Sequence, residues 1–277
     1  MERGSYMLPV AVGCSYNRCK FCMLFKHLKY RELPLEQIGE ELKRVQSVGG
    51  SPKRIFLGDG NAFGLETEKL LRILQMVRSS FPDFEEVNMD ATVTNIRMKS
   101  DEELKALYGA GVRHLYLGIE SGLDDVLKFM DKDHNLSEVY EAIARIQAAG
   151  MIYDAHMMTG VAGKGRGQEN AEQIAEFFNR TRPSRIVNFS MFLHKEAPLY
   201  REIEAGNFVP ASELENLEEE KRLLELLTAE SLEYDGFHDF IEYRVRGTLP
   251  GDKERMLESL QKCIGKYLTK EEVIAII

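Results

Sequence analysis

Residues 8–22 have the sequence Leu8-Pro-Val-Ala-Val-Gly-Cys-Ser-Tyr-Asn-Arg-Cys-Lys-Phe-Cys22, a short apolar run followed by a polar loop. Three of the chain's four cysteines lie in this loop, at Cys14, Cys19 and Cys22, with the spacing C-x4-C-x2-C. Thiolates select zinc, copper(I) or iron–sulfur clusters. A structural zinc site needs four closed ligands, and the fourth cysteine, Cys263, lies far downstream. Three thiolates with one open position therefore indicate a reactive metal centre.

Two other interpretations of the cysteines compete with this one. A disulfide is disfavoured because the chain is long, contains few cysteines and carries no export signal. A zinc ion completed by a histidine stays open as an alternative, with His27 the nearest candidate. The favoured interpretation is a [4Fe–4S] cluster in which cysteines bind three irons and the fourth iron is open.

Composition excludes several classes of function. The chain has 277 residues, 44% of them hydrophobic, which suits a single α/β barrel. Its formal charge is 36 − 45 = −9, so no general affinity for phosphate backbones is implied and nucleic acids are disfavoured as partners. The N-terminal apolar stretch is too short for a signal peptide, and no run reaches the roughly 18 apolar residues of a membrane helix. We therefore expect a soluble, cytoplasmic protein.

Strand-like and helix-like patterns alternate along the chain. The predicted strands are residues 8–13, 54–59, 86–92, 114–120, 152–159 and 185–193. Helical spacing follows them, for example at Leu35, Ile38, Leu42 and Val45, and Ser100-Asp-Glu-Glu103 is a capping box that opens another helix. Six strand-then-helix units predict a parallel sheet with crossover helices.

Polar residues repeat on one face of several predicted strands. Strands buried on both faces should be almost entirely apolar. The polar residues that share a face are Asn88, Asp90 and Thr92 in the third strand, Asp154 and His156 in the fifth, and Asn188 and Ser190 in the sixth. They predict a cavity inside an α/β partial (β/α)6 barrel that opens at the carboxyl ends of the strands.

The sequence changes character after residue 208. We expect residues 1–208 to form the partial barrel with its cysteine loop and residues 209–277 to form a helical and aromatic C-terminal extension. A charged helix is predicted over 213–232, and the aromatic segment 234–243 is expected to cover the mouth of the barrel.

Further motifs accompany the cysteines in a fixed order. Phe21 precedes the third cysteine, Gly58-Asp-Gly-Asn61 follows the second strand, Gly118-Ile-Glu-Ser121 ends the fourth, and Pro198-Leu-Tyr200 follows the sixth. Together, over about residues 8–208, they resemble the radical S-adenosylmethionine (radical SAM) superfamily, in its Elongator-subunit-3/MiaB/coproporphyrinogen-oxidase-like branch.

The chain departs from the common pattern of that superfamily in two places. The first cysteine gap is four residues instead of the more widespread three, which resembles a subgroup with the C-x4-C-x2-C motif. The Pro-Gly-Thr common before Pro-Leu-Tyr is replaced by Lys195-Glu-Ala197. The second departure prevents the substrate of any relative from being transferred to this chain.

The resemblance implies a [4Fe–4S] cluster bound by the three clustered cysteines, with S-adenosylmethionine on the open iron. One-electron reduction would cleave S-adenosylmethionine to a 5′-deoxyadenosyl radical, which removes hydrogen from a substrate. The implied cofactor-binding residues are Phe21 at the adenine, Gly58, Asp59 and Gly60 at the methionyl amino group, Thr92, Arg97 at the methionyl carboxylate and Glu120 at the ribose hydroxyls.

The substrate side of the site is predicted only by residue type. Candidates are Asp154, His156 and Asn188, followed by Tyr116 and His194. The acidic charge and the lack of a second cysteine cluster favour a small-molecule substrate. The expected redox partner is an electron donor such as flavodoxin or ferredoxin. The competing hypothesis is a non-catalytic carrier, similar to a haem chaperone, on the same fold.

Overall fold

The computed structural model describes residues 4–277. Its strands are β1 Tyr6–Pro9, β2 Ala11–Val12, β3 Arg31–Glu32, β4 Arg54–Gly58, β5 Glu86–Ala91, β6 Val112–Glu120, β7 Ile152–Thr159, β8 Arg185–Ser190, β9 Leu232–His238 and β10 Tyr243–Leu249. Eight of them form one mostly parallel sheet in the order β1-β4-β5-β6-β7-β8-β9-β10. The α/β partial-barrel prediction is confirmed.

Helices alternate with the strands as the apolar spacing predicts. They are α1 Leu35–Ser47, α2 Thr67–Ser80, α3 Val93–Met98, α4 Asp101–Ala110, α5 Asp124–Phe129, α6 Leu136–Ala148, α7 Gly167–Thr181, α8 Pro198–Glu204, α9 Glu213–Leu226 and α10 Lys253–Tyr267. The predicted capping box is present at the start of α4, where Ser100 and Glu103 exchange side-chain and backbone hydrogen bonds. It satisfies two amide groups that the helix itself cannot pair.

The chain divides into two compact units. The first comprises the described part of Met1–Asn17, with Leu24–Leu117 and Glu141–Tyr153. Within it, β1, β4 and β5 pair in parallel, and α2 contacts both α1 and α4. The apolar face of α2 consists of residues at helical spacing, all of them buried: Leu70, Ile73, Leu74 and Val77.

The second unit comprises Arg18–Met23, Gly118–Tyr140 and Asp154–Ile277. Within it, β8 pairs in parallel with β9, β9 pairs antiparallel with β10, and α9 packs against α7 and α10. A cluster of apolar residues around Val161, Leu193 and Leu199 forms part of its core.

The C-terminal region contains strands that the sequence analysis missed. The helix predicted over 213–232 ends at Leu226, and most of the segment expected to form an aromatic cover is β9 and the start of β10. Residues of β9 alternate strictly between buried Leu232, Tyr234 and His238 and more exposed neighbours. This period-two pattern is that of a strand, so most of the aromatic segment is part of the sheet. That the segment covers the mouth of the barrel stays a prediction.

None of the helices in residues 4–277 is long and apolar enough to cross a membrane.

Candidate functional site

The cysteine loop is closed at its base by a two-stranded ribbon. β2 and β3 pair antiparallel, with Val12 opposite Arg31, so residues 13–30 form one loop that contains all three clustered cysteines. The sulfurs of Cys14, Cys19 and Cys22 form no disulfide and are partly exposed. The amide of Cys22 donates to the carbonyl of Cys19, which turns the chain between these two residues.

Asn17 holds the two halves of the loop together. Its φ of 46° is a left-handed conformation that asparagine tolerates better than most residues. Its side-chain amide donates to the backbone carbonyl of Phe25 at 2.9 Å, and its backbone carbonyl accepts from the Lys26 ammonium at 2.7 Å. The loop is therefore braced by its own polar groups.

The glycine turn after β4 lies against the start of the cysteine loop. Gly60 has a φ of 55°, and a Cβ there would lie 2.2 Å from the carbonyl oxygen of Gly13 and 2.9 Å from the Cα of Cys14. The Asp59 amide donates to the carbonyl of Ala11 at 3.3 Å. Only glycine permits this approach of main chain to main chain.

Thr92 belongs to a polar chain that begins in the cysteine loop. Ser15 donates to the Asn61 side chain at 2.9 Å, and Asn61 donates to Asn95 Oδ1 at 2.8 Å. Thr92 is the N-cap of α3 and also donates to Asn95 Oδ1, at 2.6 Å. The sequence analysis missed Asn61 and Asn95 in this role, and the hydroxyl predicted to contact a cofactor is engaged in capping.

Arg97 lies in an exposed ion pair. Its Nε is 3.5 Å from Glu141 Oε2, and the two side chains are 40% and 56% exposed. This position gives no support to the prediction that Arg97 binds a carboxylate of the cofactor.

Glu120 forms a buried ion pair that the sequence analysis did not predict. Its Oε1 lies 3.2 Å from Lys132 Nζ, and the two side chains are 12% and 8% exposed. A Cβ on Gly118 would be 2.4 Å from Glu120 Oε1, so any side chain at this position would displace the carboxylate. Burial alone would lower the pKa of Lys132, but the negative charge of Glu120 raises it above its ordinary value. Lys132 is therefore a fixed buried cation.

Two residues of the cysteine loop, Cys19 and Phe21, lie in the same unit as Lys132. Lys132 Nζ is 6.0 Å from the centre of the Phe21 ring. Burial raises the pKa of the Cys19 thiol to about 11, against the opposing charge of Lys132. A metal that binds Cys19 must displace a proton from a largely buried sulfur.

A buried chain of hydrogen bonds supports the turn after Glu120, whose own φ is 66°. The Ser121 hydroxyl and the Gly122 amide both donate to Asn170 Oδ1, at 2.6 and 3.0 Å. Asn170 Nδ2 in turn donates to Glu219 Oε1 at 2.7 Å. Ser121, Asn170 and Glu219 are fully buried, so α7 and α9 fix the backbone that carries Glu120.

Asn188 and Ser190 do not border a cavity, contrary to prediction. Asn188 donates to Glu220 Oε1 at 3.0 Å and Ser190 donates to Glu213 Oε1 at 2.9 Å, so both side chains pack against α9. His238 also faces α9 and lies between the same two carboxylates, at 2.9 and 3.0 Å. Polar alternation in β8 reflects this buried network under a helix.

Asp154 and His156 lie on β7, on the face of the sheet opposite to Asn188 and Ser190. Asp154 is buried and accepts a hydrogen bond from Ser184. The His156 ring lies edge-on to Phe189 at 5.8 Å. Burial lowers the pKa of His156 to about 4, so its imidazole is neutral near pH 7.

The other two substrate candidates also have structural partners. His194 Nδ1 accepts from the Glu196 amide at 3.1 Å. The Tyr116 ring is 2% exposed and packs 5.6 Å from Phe56. Among residues 4–277, no group of three or more His, Cys, Asp and Glu side chains is arranged to hold one metal ion.

Known proteins resemble this chain in both sequence and fold. The model of the radical SAM superfamily matches residues 8–178. The ribosomal protein uS12 methylthiotransferase RimO of Caldanaerobacter subterraneus is 25% identical over 189 residues, covering 66% of this chain and 42% of RimO. The haem chaperone HemW of Bacillus subtilis is 26% identical over 154 residues, covering 54% of this chain and 40% of HemW.

The fold is also that of a solved radical SAM enzyme. Coproporphyrinogen III oxidase HemN from Escherichia coli superposes with a TM-score of 0.62 at 15% identity, covering 80% of this chain and 50% of HemN. The chain spans about two fifths of the length of the two curated relatives. These similarities confirm the superfamily and the branch that the motifs predicted.

Proposed function

The chain belongs to the radical SAM superfamily, and we propose that it is an enzyme that reductively cleaves S-adenosylmethionine and abstracts hydrogen from a small molecule. The superfamily uses a [4Fe–4S] cluster and S-adenosylmethionine. The observation that carries the proposal is the set of three cysteines outside any disulfide in one loop, which Asn17 braces. That donor set suits an iron–sulfur cluster with one open iron.

The residues that would hold the cluster are Cys14, Cys19 and Cys22. When bound, the cluster would supply the one electron that reductive cleavage of the C–S bond of S-adenosylmethionine to methionine and the 5′-deoxyadenosyl radical requires. The protein contributes position and exclusion of water. The hydrogen bonds of Asn17 and the close approach of the Gly60 turn brace the loop that carries the first of these cysteines.

Glu120 and Lys132 would orient the nucleotide through two different charges. A carboxylate can accept two hydrogen bonds from a vicinal diol, which assigns Glu120 to the ribose. The buried ammonium of Lys132 suits the methionyl carboxylate, the role that the sequence analysis gave to Arg97. Since Asn170 and Ser121 hold the backbone next to Glu120, its carboxylate has little freedom to turn away.

The substrate would lie against the face of β7 and β8 that carries Asp154 and His156. A neutral imidazole can accept or donate a hydrogen bond without adding charge beside a radical intermediate. This proposal no longer includes Asn188 or Ser190, since both are bound to α9. Reduction of the cluster would require a one-electron donor such as flavodoxin or ferredoxin.

Cysteine variants test this function directly. Anaerobically reconstituted protein should bind about four irons and, with dithionite, convert S-adenosylmethionine to 5′-deoxyadenosine. Alanine at Cys14, Cys19 or Cys22 should abolish that product. Cys263→Ala is the matched control, because Cys263 is buried in α10, and it should retain full activity. Stoichiometric zinc with no bindable iron would refute the proposal.

A non-catalytic carrier is the second candidate, and the similarity to the haem chaperone HemW favours it. A carrier would bind the cluster and nucleotide without using the radical. Comparing 5′-deoxyadenosine formation with and without cell extract separates the two. Stimulation by extract supports the enzyme, and an equal slow rate in both supports the carrier.

A further inference from the structure

Positive charge is concentrated in the second half of the cysteine loop. Residues 24–31, Leu-Phe-Lys-His-Leu-Lys-Tyr-Arg, contain Lys26, Lys29 and Arg31 and no acidic residue. The whole chain carries a net charge of −9. This short segment therefore differs in sign from the rest of the protein.

These basic groups are accessible and unneutralised. Lys29, Arg31 and His27 are exposed, and Lys26 is half-buried. Lys26 donates to the backbone carbonyl of Asn17 at 2.7 Å, a bond that leaves its charge uncompensated. Within residues 4–277, no ion pair joins Lys26, Lys29 or Arg31 to a carboxylate. The positive potential of this surface is consequently available to a partner.

An exposed apolar side chain lies beside the charges. Leu24 is 73% exposed. The amide of Leu28 donates to the carbonyl of Phe25 at 3.0 Å, and Asn17 binds the same carbonyl. The segment is thus a structured surface that exposes one large apolar side chain among basic ones.

This surface is close along the chain to Cys22, which we propose as a cluster ligand. Leu24 follows Cys22 by two residues, so their Cα atoms are no more than about 7 Å apart. Lys26 follows by four residues and is within about 14 Å of the same Cα. A protein bound here would bring its redox centre close to the thiolate that holds the cluster.

We propose that residues 24–31 are the docking surface for an acidic protein that carries one electron. The inference rests on the proposed function, because it needs a cluster at the three cysteines. The carrier is oxidised by one electron and the cluster is reduced by one electron, with no proton or group transferred. Charge complementarity at such a surface accelerates encounter more than it strengthens the complex.

The test compares two electron donors on the same variant. Lys26, Lys29 and Arg31 are replaced together by glutamate, and S-adenosylmethionine cleavage is driven either by photoreduced flavodoxin, an acidic protein, or by dithionite. The variant should lose at least tenfold in kcat/KM for flavodoxin at low ionic strength, with the dithionite rate and iron content unchanged. The matched control replaces three exposed lysines elsewhere by glutamate, Lys43, Lys105 and Lys262, and should stay within twofold.

Ionic strength provides a second readout on the wild-type protein. Because exposed charges are screened within about 10 Å at 0.1 M salt, flavodoxin-driven turnover should fall as salt rises while dithionite-driven turnover does not. Equal flavodoxin rates in the docking variant and the control variant would overturn the proposal. If the triple variant does not fold, Lys29→Glu alone should lower the flavodoxin rate about threefold, and an unchanged rate would overturn the proposal equally. Absence of dithionite-driven cleavage in the wild type would instead refute the proposed function.

Discussion

Replacing His238 by phenylalanine would leave two buried carboxylates without their shared counter-charge. The His238 side chain is fully buried and bonds Glu213 through Nδ1 at 2.9 Å and Glu220 through Nε2 at 3.0 Å. Both ring nitrogens face carboxylate oxygens, so both carry protons and the ring is cationic. Removing one partner of a buried ion pair costs about 3–5 kcal/mol. We expect a loss of that size in the free energy of unfolding at pH 7.5.

The pH dependence of stability gives a second value for the free energy that the His238 interactions contribute. Burial lowers the pKa of His238, but its bonds to Glu213 and Glu220 outweigh that effect and raise the pKa from 6.5 to about 9. A shift of this size is worth about 3 kcal/mol. Because the folded pKa is raised, this stability is fully present below pH 6.5 and is lost as pH rises through 9. The difference in the free energy of unfolding between wild type and His238→Phe should therefore narrow as pH rises above 6.5 and be small by pH 9.

Urea unfolding followed by circular dichroism, at several pH values and under anaerobic conditions, measures both effects. The matched control is His27→Phe, because His27 is exposed, and its stability should change by less than about 0.5 kcal/mol. A loss below about 1 kcal/mol for His238→Phe at pH 7.5 would refute the account, as would a constant difference from pH 6 to 9.5.

Three further variants test individual elements of the site. Gly60→Ala should prevent cluster assembly, which is measured as iron lost after reconstitution. The control is Gly49→Ala, which should retain iron because Gly49 has a φ of 77° but open space around its Cβ. Retention of iron by both variants would contradict the importance of the close approach at Gly60. Asn170→Ala should raise the KM for S-adenosylmethionine at least tenfold, because hydrogen bonds to charged groups are worth about 1.5–3 kcal/mol, and it should leave iron content unchanged; an unchanged KM would remove Asn170 from the support of the site. Lys132→Met should raise the KM for S-adenosylmethionine by a similar factor, whereas Arg97→Ala should leave this KM within twofold. If Arg97→Ala instead raised the KM more than Lys132→Met, Arg97 would be the residue that binds the methionyl carboxylate.

Helices and their caps were predictable because each depends on neighbouring residues. The recurrence of Leu70, Leu74 and Val77 in α2 specifies a buried helical face by itself, and Ser100 with Glu103 specifies a helix start. The cysteine loop was equally visible, since metal ligands at short spacing need no tertiary information.

The orientation of polar residues was not predictable in the same way. Period-two alternation shows that Asn188 and Ser190 share a face, but either face of a strand can be covered. Here the cover is α9, whose carboxylates Glu213 and Glu220 bind them. Because α9 carries buried carboxylates, the polar face of β8 is covered by this helix and does not indicate a cavity.

Lys132 was missed because its importance arises only from tertiary contact. In sequence it lies between Asp131 and Asp133, a composition typical of an exposed turn. In the fold it is buried beside Glu120, twelve residues earlier. No local pattern distinguishes such a lysine from a solvated one.

Deuterium transfer tests most directly whether the chain is an enzyme that abstracts hydrogen. The reconstituted, reduced protein is incubated with S-adenosylmethionine and a metabolite extract from cells grown in heavy water, and 5′-deoxyadenosine is analysed by mass spectrometry. The account predicts product carrying deuterium, formed faster than without extract and absent from the Cys19→Ala variant. Unlabelled 5′-deoxyadenosine formed at the same rate with and without extract would contradict it.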